Sequence, residues 1–323
     1  MLNRNVEFSL VIFAIMNIQQ LQYIIALNKY RHFVKAAREC GVSQPTLSTM
    51  INKVELELDV RIFDRNKSPI EPTALGKKII KQAETIINDI NRISEIVLSE
   101  KNTLQGSVQI GVLPTVAPYL VPLFLTRFKQ KYKQVKLLIS DVRADNLIDD
   151  VLSSNLDMAI IATPLHNDGL MEIPVYKERF LAYLPKQKDT LLQGLINPLK
   201  MPAGKLWVLS ESPCIKSDMV DFCKMKNAGD SSYKTGSVET LIRIVDNNGG
   251  YAVIPELYSR YLSSSQQKRL REFDSPYAVR EISIVIRKDY VKEKMLNAIV
   301  SVIKDIIPKD KLVEKIKKYP VRL

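Results

Sequence analysis

Histidine and cysteine are scarce in this 323-residue chain, with two of the first and three of the second, Cys40, Cys214 and Cys223. So few ligands, so widely dispersed, exclude a zinc-type cluster, and no metal or cofactor is expected. Three cysteines cannot staple a small secreted fold either. Glycine occurs eleven times, without a phosphate-cradling loop, a dinucleotide fingerprint or a nucleophile elbow, so the sequence gives no sign of an enzyme. Long apolar runs are also missing. The nearest, Phe8–Ile15, falls well short of the roughly 20 residues a membrane span needs. Residues 1–15 are expected to be a disordered extension or the product of an upstream start codon. No small-residue cleavage site follows them, which places the protein in the cytoplasm with reduced thiols.

What is present is a composition of 46% hydrophobic and 25% charged residues, ordinary for a globular protein with a core. The net charge of +12 invites a polyanion, yet residues 1–100 hold 13 Lys and Arg against 11 Asp and Glu. The excess therefore lies late in the chain, and charge alone identifies no DNA-binding domain.

Apolar periodicity predicts helices over 18–29, 32–40 and 43–58, with Gly41 breaking the second and Ser43 capping the third. Ile62-Phe63 and Pro69-Ile70 flank a charged tip, the pattern of a small β-wing. Thr73 reads as the cap of a long helix from Ala74 to about Lys101. Its stripe of Ile79, Ile86, Ile90, Ile93 and Val97 predicts packing against a second copy. From there strands and helices alternate: strands at 108–112, 135–140 and 158–162 enclose helices at 121–131 and 146–154. A second set follows, with strands at 181–184, 206–209, 252–253 and 282–287 and helices near 217–224, 237–247 and 292–307. The fold class is α/β: a winged helix-turn-helix with a long linker helix, then a two-lobed α/β domain resembling periplasmic solute binders. The expected boundaries are 16–73 for the first domain, 74–104 for the linker and 105–323 for the second. Its lobes are drawn at about 107–175 plus 288–323 and at 176–287, the last strand and terminal helix returning the chain to the first lobe.

The most specific stretch is Phe33-Val-Lys-Ala-Ala-Arg-Glu-Cys-Gly-Val-Ser-Gln-Pro-Thr-Leu-Ser. Two helices can cross closely only over small residues, here Ala36-Ala37. Gly41 makes the turn and Val42 locks the angle. Ser43, Gln44, Pro45, Thr46 and Ser48 then open a recognition helix whose first residues meet base edges. Gln44 suits an adenine edge, and Thr46 and Ser48 suit phosphate or a thymine methyl. Arg31, Lys35, Lys53, Arg65 and Lys67 are candidates for backbone phosphates. Cys40 reads as packing, and His32 and Trp207 read as structural.

These residues, with Thr-Ala-Leu-Gly at 73–76 and the two-lobed domain behind them, resemble the LysR-type transcriptional regulators from Met16 onward. The resemblance implies homodimers built on the linker helix, homotetramers on promoter DNA, and an effector domain at the C-terminal end. RNA polymerase is a further expected partner. Most such regulators bind a small metabolite between the lobes, and that remains the alternative reading. A solute binder or an enzyme on the two-lobed domain alone would leave residues 31–76 unexplained.

Cys214 and Cys223 lie nine positions apart. If the segment between them is helical, a rise of about 1.5 Å per residue holds the sulfurs beyond bonding distance. A disulfide needs Cα atoms about 4.4–6.8 Å apart, so closing it would refold the segment. The Cys-x8-Cys spacing, Ile110-Gly-Val-Leu-Pro-Thr-Val-Ala-Pro-Tyr-Leu-Val-Pro and Gly236-Ser-Val-Glu-Thr-Leu are similar to the hydrogen-peroxide-sensing members of the family. That resemblance implies hydrogen peroxide as effector, with Cys214 as the peroxidatic and Cys223 as the resolving cysteine. It gives Thr115 the positioning of peroxide and Arg287 the stabilising of the thiolate. Two positions depart from the pattern: Pro213 stands where a histidine precedes the peroxidatic cysteine, and Ala144 stands where a second threonine is expected.

Overall fold

The computed structural model describes residues 16–99, 104–186, 194–197, 206–207, 236–274 and 279–313. The chain divides near Ser94 into two compact units.

The first unit opens with α1 (Ile18–Tyr30), capped by Asn17 in a reciprocal pair with Gln20. Then come α2 (Phe33–Glu39) and α3 (Gln44–Glu57). Ala36 and Ala37 are fully buried where the helices cross, as close crossing requires. Leu47, Ile51 and Val54 form the inner stripe of α3, each worth about 1.5–3 kcal/mol in burial. Strands β1 (Phe63–Asp64) and β2 (Glu71–Pro72) make the wing, one and two residues later, respectively, than the apolar pairs predict. Helix α4 (Ala74–Ser99) is the long helix. Its cap is Thr73, whose hydroxyl accepts from the Gly76 N–H at 2.8 Å and donates to the Arg61 carbonyl at 2.7 Å.

The second unit is built on β3 (Gly106–Val112), β4 (Val135–Asp141) and β5 (Met158–Thr163), paired in parallel in the order β4-β3-β5. Helices α5 (Ala117–Lys131) and α6 (Ala144–Leu152) make the crossovers. The parallel set is completed by an antiparallel strand, β10 (Val279–Arg287), beside β5. The other edge of β10 pairs with β6 (Leu170–Tyr183), a 14-residue strand. Residues 279–287 thus lie between β5 and β6. The last four residues of β6, Phe180–Tyr183, carry β8 (Tyr251–Pro255) and β9 (Leu270–Glu272), and β7 (Leu206–Trp207) lies beyond β8. Helices α7 (Val238–Asn248), α8 (Ser264–Gln267) and α9 (Glu293–Ile306) complete the described α-helices, and short 3-10 turns lie at Glu256–Tyr261 and Lys309–Lys311. Strand β6 is the common member of both sheets, and sequence finds only its last turn of apolar residues near 181–184.

Candidate functional site

In the first unit the turn between α2 and α3 has the form the motif predicts. Gly41 takes φ +67°, a left-handed conformation strained for other residues, and Val42 N–H donates to the Ala37 carbonyl at 3.0 Å. Ser43 caps α3 through Oγ, accepting from Thr46 N–H at 3.3 Å, and its hydroxyl meets the Thr46 hydroxyl at 2.7 Å. Gln44, Pro45 and Thr46 are exposed in the first turn, Ser48 is half-buried and Lys53 is exposed, 3.7 Å from Glu57. Lys35 is exposed on α2. Arg31 is the left-handed C-cap of α1, and its Nε donates to the Asn28 carbonyl at 2.6 Å.

The wing is fastened to α3 by one carboxylate. Glu55 Oε1 accepts from the backbone N–H groups of Ile62 at 2.7 Å and Phe63 at 3.0 Å, while its Oε2 accepts from Arg65 at 2.8 Å. The Arg65 guanidinium also lies 5.5 Å from the centre of the Phe33 ring. Lys67 at the tip pairs with Glu71 at 2.6 Å. Arg65 and Lys67 are therefore held by neighbours in the described state.

Along α4, Ile79 packs on the helix-turn-helix core and Ile90 is half-buried. Ile86 and Ile93 are 37% and 63% exposed, so the greasy seam is open beyond the first turns. The side chain of Val97 lies outside the described residues. Cys40 is half-buried against the same core, and burial, then the charge of Glu39, pushes its thiol above the usual range. That makes it a poorer nucleophile. Trp207 donates from Nε1 to the Gly249 carbonyl at 3.0 Å.

In the second unit a charged cluster is sealed inside the protein. Glu178 on β6 stands directly across from Arg280 on β10. Arg280 Nε donates to Glu178 Oε1 at 2.9 Å and Nη2 lies 2.8 Å from the same oxygen. The other side of the guanidinium donates from Nη1 to Thr115 Oγ1 at 2.8 Å. Arg280 also lies 5.2 Å from the centre of the Phe180 ring. The Tyr119 hydroxyl donates to Glu178 Oε1 at 2.5 Å and meets the Tyr176 hydroxyl at 2.7 Å. Burial first, and Glu178 second, push both phenols well above their usual range, so they remain protonated donors. Thr115, Glu178 and Arg280 are all at least nine-tenths buried.

Thr115 follows β3 and Arg280 opens β10, so the cluster lies at the carboxyl ends of the parallel strands, where open α/β sheets form binding crevices. Arg287 is seven residues further along β10, about 23 Å away. There it pairs with Asp289 at 2.8 Å and donates to the Leu152 carbonyl, at the opposite ends of the parallel strands. The structure thus brings Thr115 together with Arg280 and not with Arg287. A signal for Arg280 did exist. Tyr176, Glu178 and Phe180 alternate on β6 with the exposed Lys177 and Arg179, marking Glu178 as an inward acid in need of a cation. Ala144 is buried at the start of α6. Pro213, Cys214 and Cys223 lie outside the described residues, as does the helix expected near 217–224. The chain resumes at Gly236, where a Cβ would stand 3.5 Å from the Pro114 ring, next to Thr115. Ser237 then caps α7 by accepting from Thr240 N–H. Among the described residues no metal-binding group of three acids, histidines or cysteines occurs, and no helix is long and apolar enough to cross a membrane.

A winged helix-turn-helix with an exposed polar recognition face, followed by a two-sheet α/β domain, defines a DNA-binding transcriptional regulator. Residues 18–77 match the bacterial regulatory helix-turn-helix protein, lysR family, and residues 101–306 match the LysR substrate binding domain. The chain belongs to the LysR family of transcriptional regulators. It is 28% identical over 275 residues to a hydrogen peroxide-inducible genes activator of Haemophilus influenzae, covering 84% of this chain and 91% of that protein. It is 29% identical over 243 residues to the DNA-binding transcriptional dual regulator OxyR of Escherichia coli, covering 75% and 80%. A full-length OxyR variant from Pseudomonas aeruginosa superposes with a TM-score of 0.72 at 26% identity, covering 93% of this chain and 98% of that one.

Proposed function

We propose that this regulator responds to hydrogen peroxide through a reversible Cys214–Cys223 disulfide. The observation that carries the reading is the Arg280–Thr115 contact, a buried cation and a hydroxyl held together at the crevice end of the sheet. The described chain resumes beside it, with Gly236 next to Pro114. Arg280, rather than Arg287, supplies the positive charge that favours the Cys214 thiolate. Thr115 offers a hydroxyl to orient the peroxide.

The Cys214 thiolate attacks one peroxide oxygen, the O–O bond breaks, and the leaving hydroxide takes a proton to become water. The sulfenic acid left on Cys214 is then attacked at sulfur by the Cys223 thiolate; the S–S bond forms as the S–O bond breaks, and the departing hydroxide takes a proton to become a second water. If the segment between the cysteines is helical in the reduced protein, closing the bridge unwinds it. That refolding is the signal carried to DNA by a cytoplasmic homotetramer joined through α4, which contacts promoter DNA through α3 and the wing and hands the signal to RNA polymerase.

Peptide mapping after about one equivalent of hydrogen peroxide tests the reading. A Cys214–Cys223 disulfide within seconds, lost as a response in Cys214→Ser, supports it. Two thiols that stay reduced would leave a regulator of this family that answers a metabolite between the lobes.

A further inference from the structure

Helix α3 buries Leu47, Ile51 and Val54 completely, and at 3.6 residues per turn the position opposite that stripe is Thr49. Thr49 is exposed. Next to it Met50 keeps 36% of its surface in water. This large apolar side chain stands one turn after Thr46 and one turn before Lys53, both exposed. The hydroxyls that open the helix are already engaged. Ser43 Oγ accepts from Thr46 N–H, the Ser43 and Thr46 hydroxyls meet each other at 2.7 Å, and Ser48 is half-buried. The second turn of α3 therefore offers a different chemistry from the first, the methyl-bearing side chain of Thr49 and the thioether of Met50.

Charge decides which part of α3 can face a polyanion. From Ser43 to Val54 there is no acid, and the one charge is Lys53. Glu55, Glu57 and Asp59 crowd the other end, where a helix also carries its partial negative charge. Leu56 lies at that end and is 80% exposed, but phosphates are repelled there.

We propose that Thr49 and Met50 are specificity-determining residues that read thymine through its C5-methyl group in the major groove. This rests on α3 meeting promoter DNA, as proposed above. Thymine alone carries a methyl group on its major-groove edge, so apolar side chains placed there tell it from the other bases. Methionine fits the task because its unbranched thioether adapts to where the methyl lies. Lys53, on the same flank, meets a phosphate and holds the register.

The test uses the full chain and a duplex site that it selects from a random-sequence pool. Each thymine of the site is replaced in turn by deoxyuridine, which lacks only the C5-methyl, and affinity is read by fluorescence anisotropy. For the wild type at least one replacement should weaken binding about four-fold, the effect of withdrawing one buried methyl group. Met50→Ala and Thr49→Ser, both at exposed positions that the fold tolerates, should each erase a penalty that the wild type shows. Leu56→Ala should keep every penalty. A helix with a purely structural role would lose affinity for both duplexes alike and leave the thymine-to-uridine ratio unmoved. No penalty at any thymine in the wild type, penalties that survive in both variants, or penalties lost equally in Leu56→Ala overturn the inference. A penalty that survives in one variant alone removes that residue from the reading. If the chain selects no site from the pool, the reading of DNA by α3 fails at that first step. If it selects one and the ratios do not move, only the role of Thr49 and Met50 fails.

Discussion

Gly76 lies so close to Ile62 that a Cβ on it would stand 2.0 Å from the Ile62 carbonyl oxygen. The first turn of α4 is thereby pressed against the strand that starts the wing. Gly76→Ala must push α4 off that carbonyl, at a cost of about 3 kcal/mol. A large fall in melting temperature with loss of promoter binding is expected. An unchanged melting curve would show that the turn relaxes freely.

The exposed seam of α4 yields a second prediction. Ile86 and Ile93 are large apolar side chains left in water within one chain, so a second copy gives them cover. Ile86→Asp with Ile90→Asp should produce monomers by light scattering and weaken promoter binding. An oligomer of unchanged mass would place the interface elsewhere.

Base reading should be separable from phosphate attraction. Gln44→Ala is expected to cost about 1–3 kcal/mol on the cognate site while leaving non-specific binding intact. Lys35→Ala should weaken all sequences alike and reduce the salt slope by about one. Fluorescence anisotropy at two or more salt concentrations distinguishes these, and equal losses on cognate and random DNA would remove Gln44 from base contact.

Glu256 gives a pH prediction. Burial pushes its carboxyl upward, but hydrogen bonds from Lys311 and Arg179 outweigh burial and leave it below the usual range. A carboxyl lowered in the folded state stabilises the fold above its unfolded value, and that contribution is lost as pH falls through the folded one. Glu256→Gln should therefore be less stable than wild type at neutral pH. The gap should close as pH falls below about 4.3, the ordinary glutamate value. Urea midpoints across pH check this, and a gap independent of pH would assign the loss to packing.

The winged unit was legible because its signals are local. Gly41, Ser43 and the Ala36-Ala37 pair act within one turn of their own positions, so spacing alone reveals them. The crevice was legible in part. Thr115 follows an apolar strand and carries a recognisable motif, but Arg280 is held in the interior by Glu178, 102 residues away in sequence. In sequence Arg280 looks like a charge fringing a strand, while Arg287 closes the apolar run Ile-Ser-Ile-Val-Ile and looks better placed. Strand β6 was recovered only near its end because Pro174 and the run Lys177-Glu178-Arg179 interrupt its hydrophobic pattern. Pro174 is tolerated where the pairing of β6 with β10 shifts register, a place that needs no regular donor.

Strand β6 spans about 46 Å if fully extended. It carries the first sheet's ladder along residues 170–179 and the second sheet's along residues 180–183. It works as a torsion bar. Neither sheet can rotate against the other without twisting a backbone hydrogen-bonded at both ends, so any displacement at one end is felt as angle at the other. Glu178 sits two residues before the ladder passes from β10 to β8, so a twist of the strand at that changeover would alter its reach to Arg280.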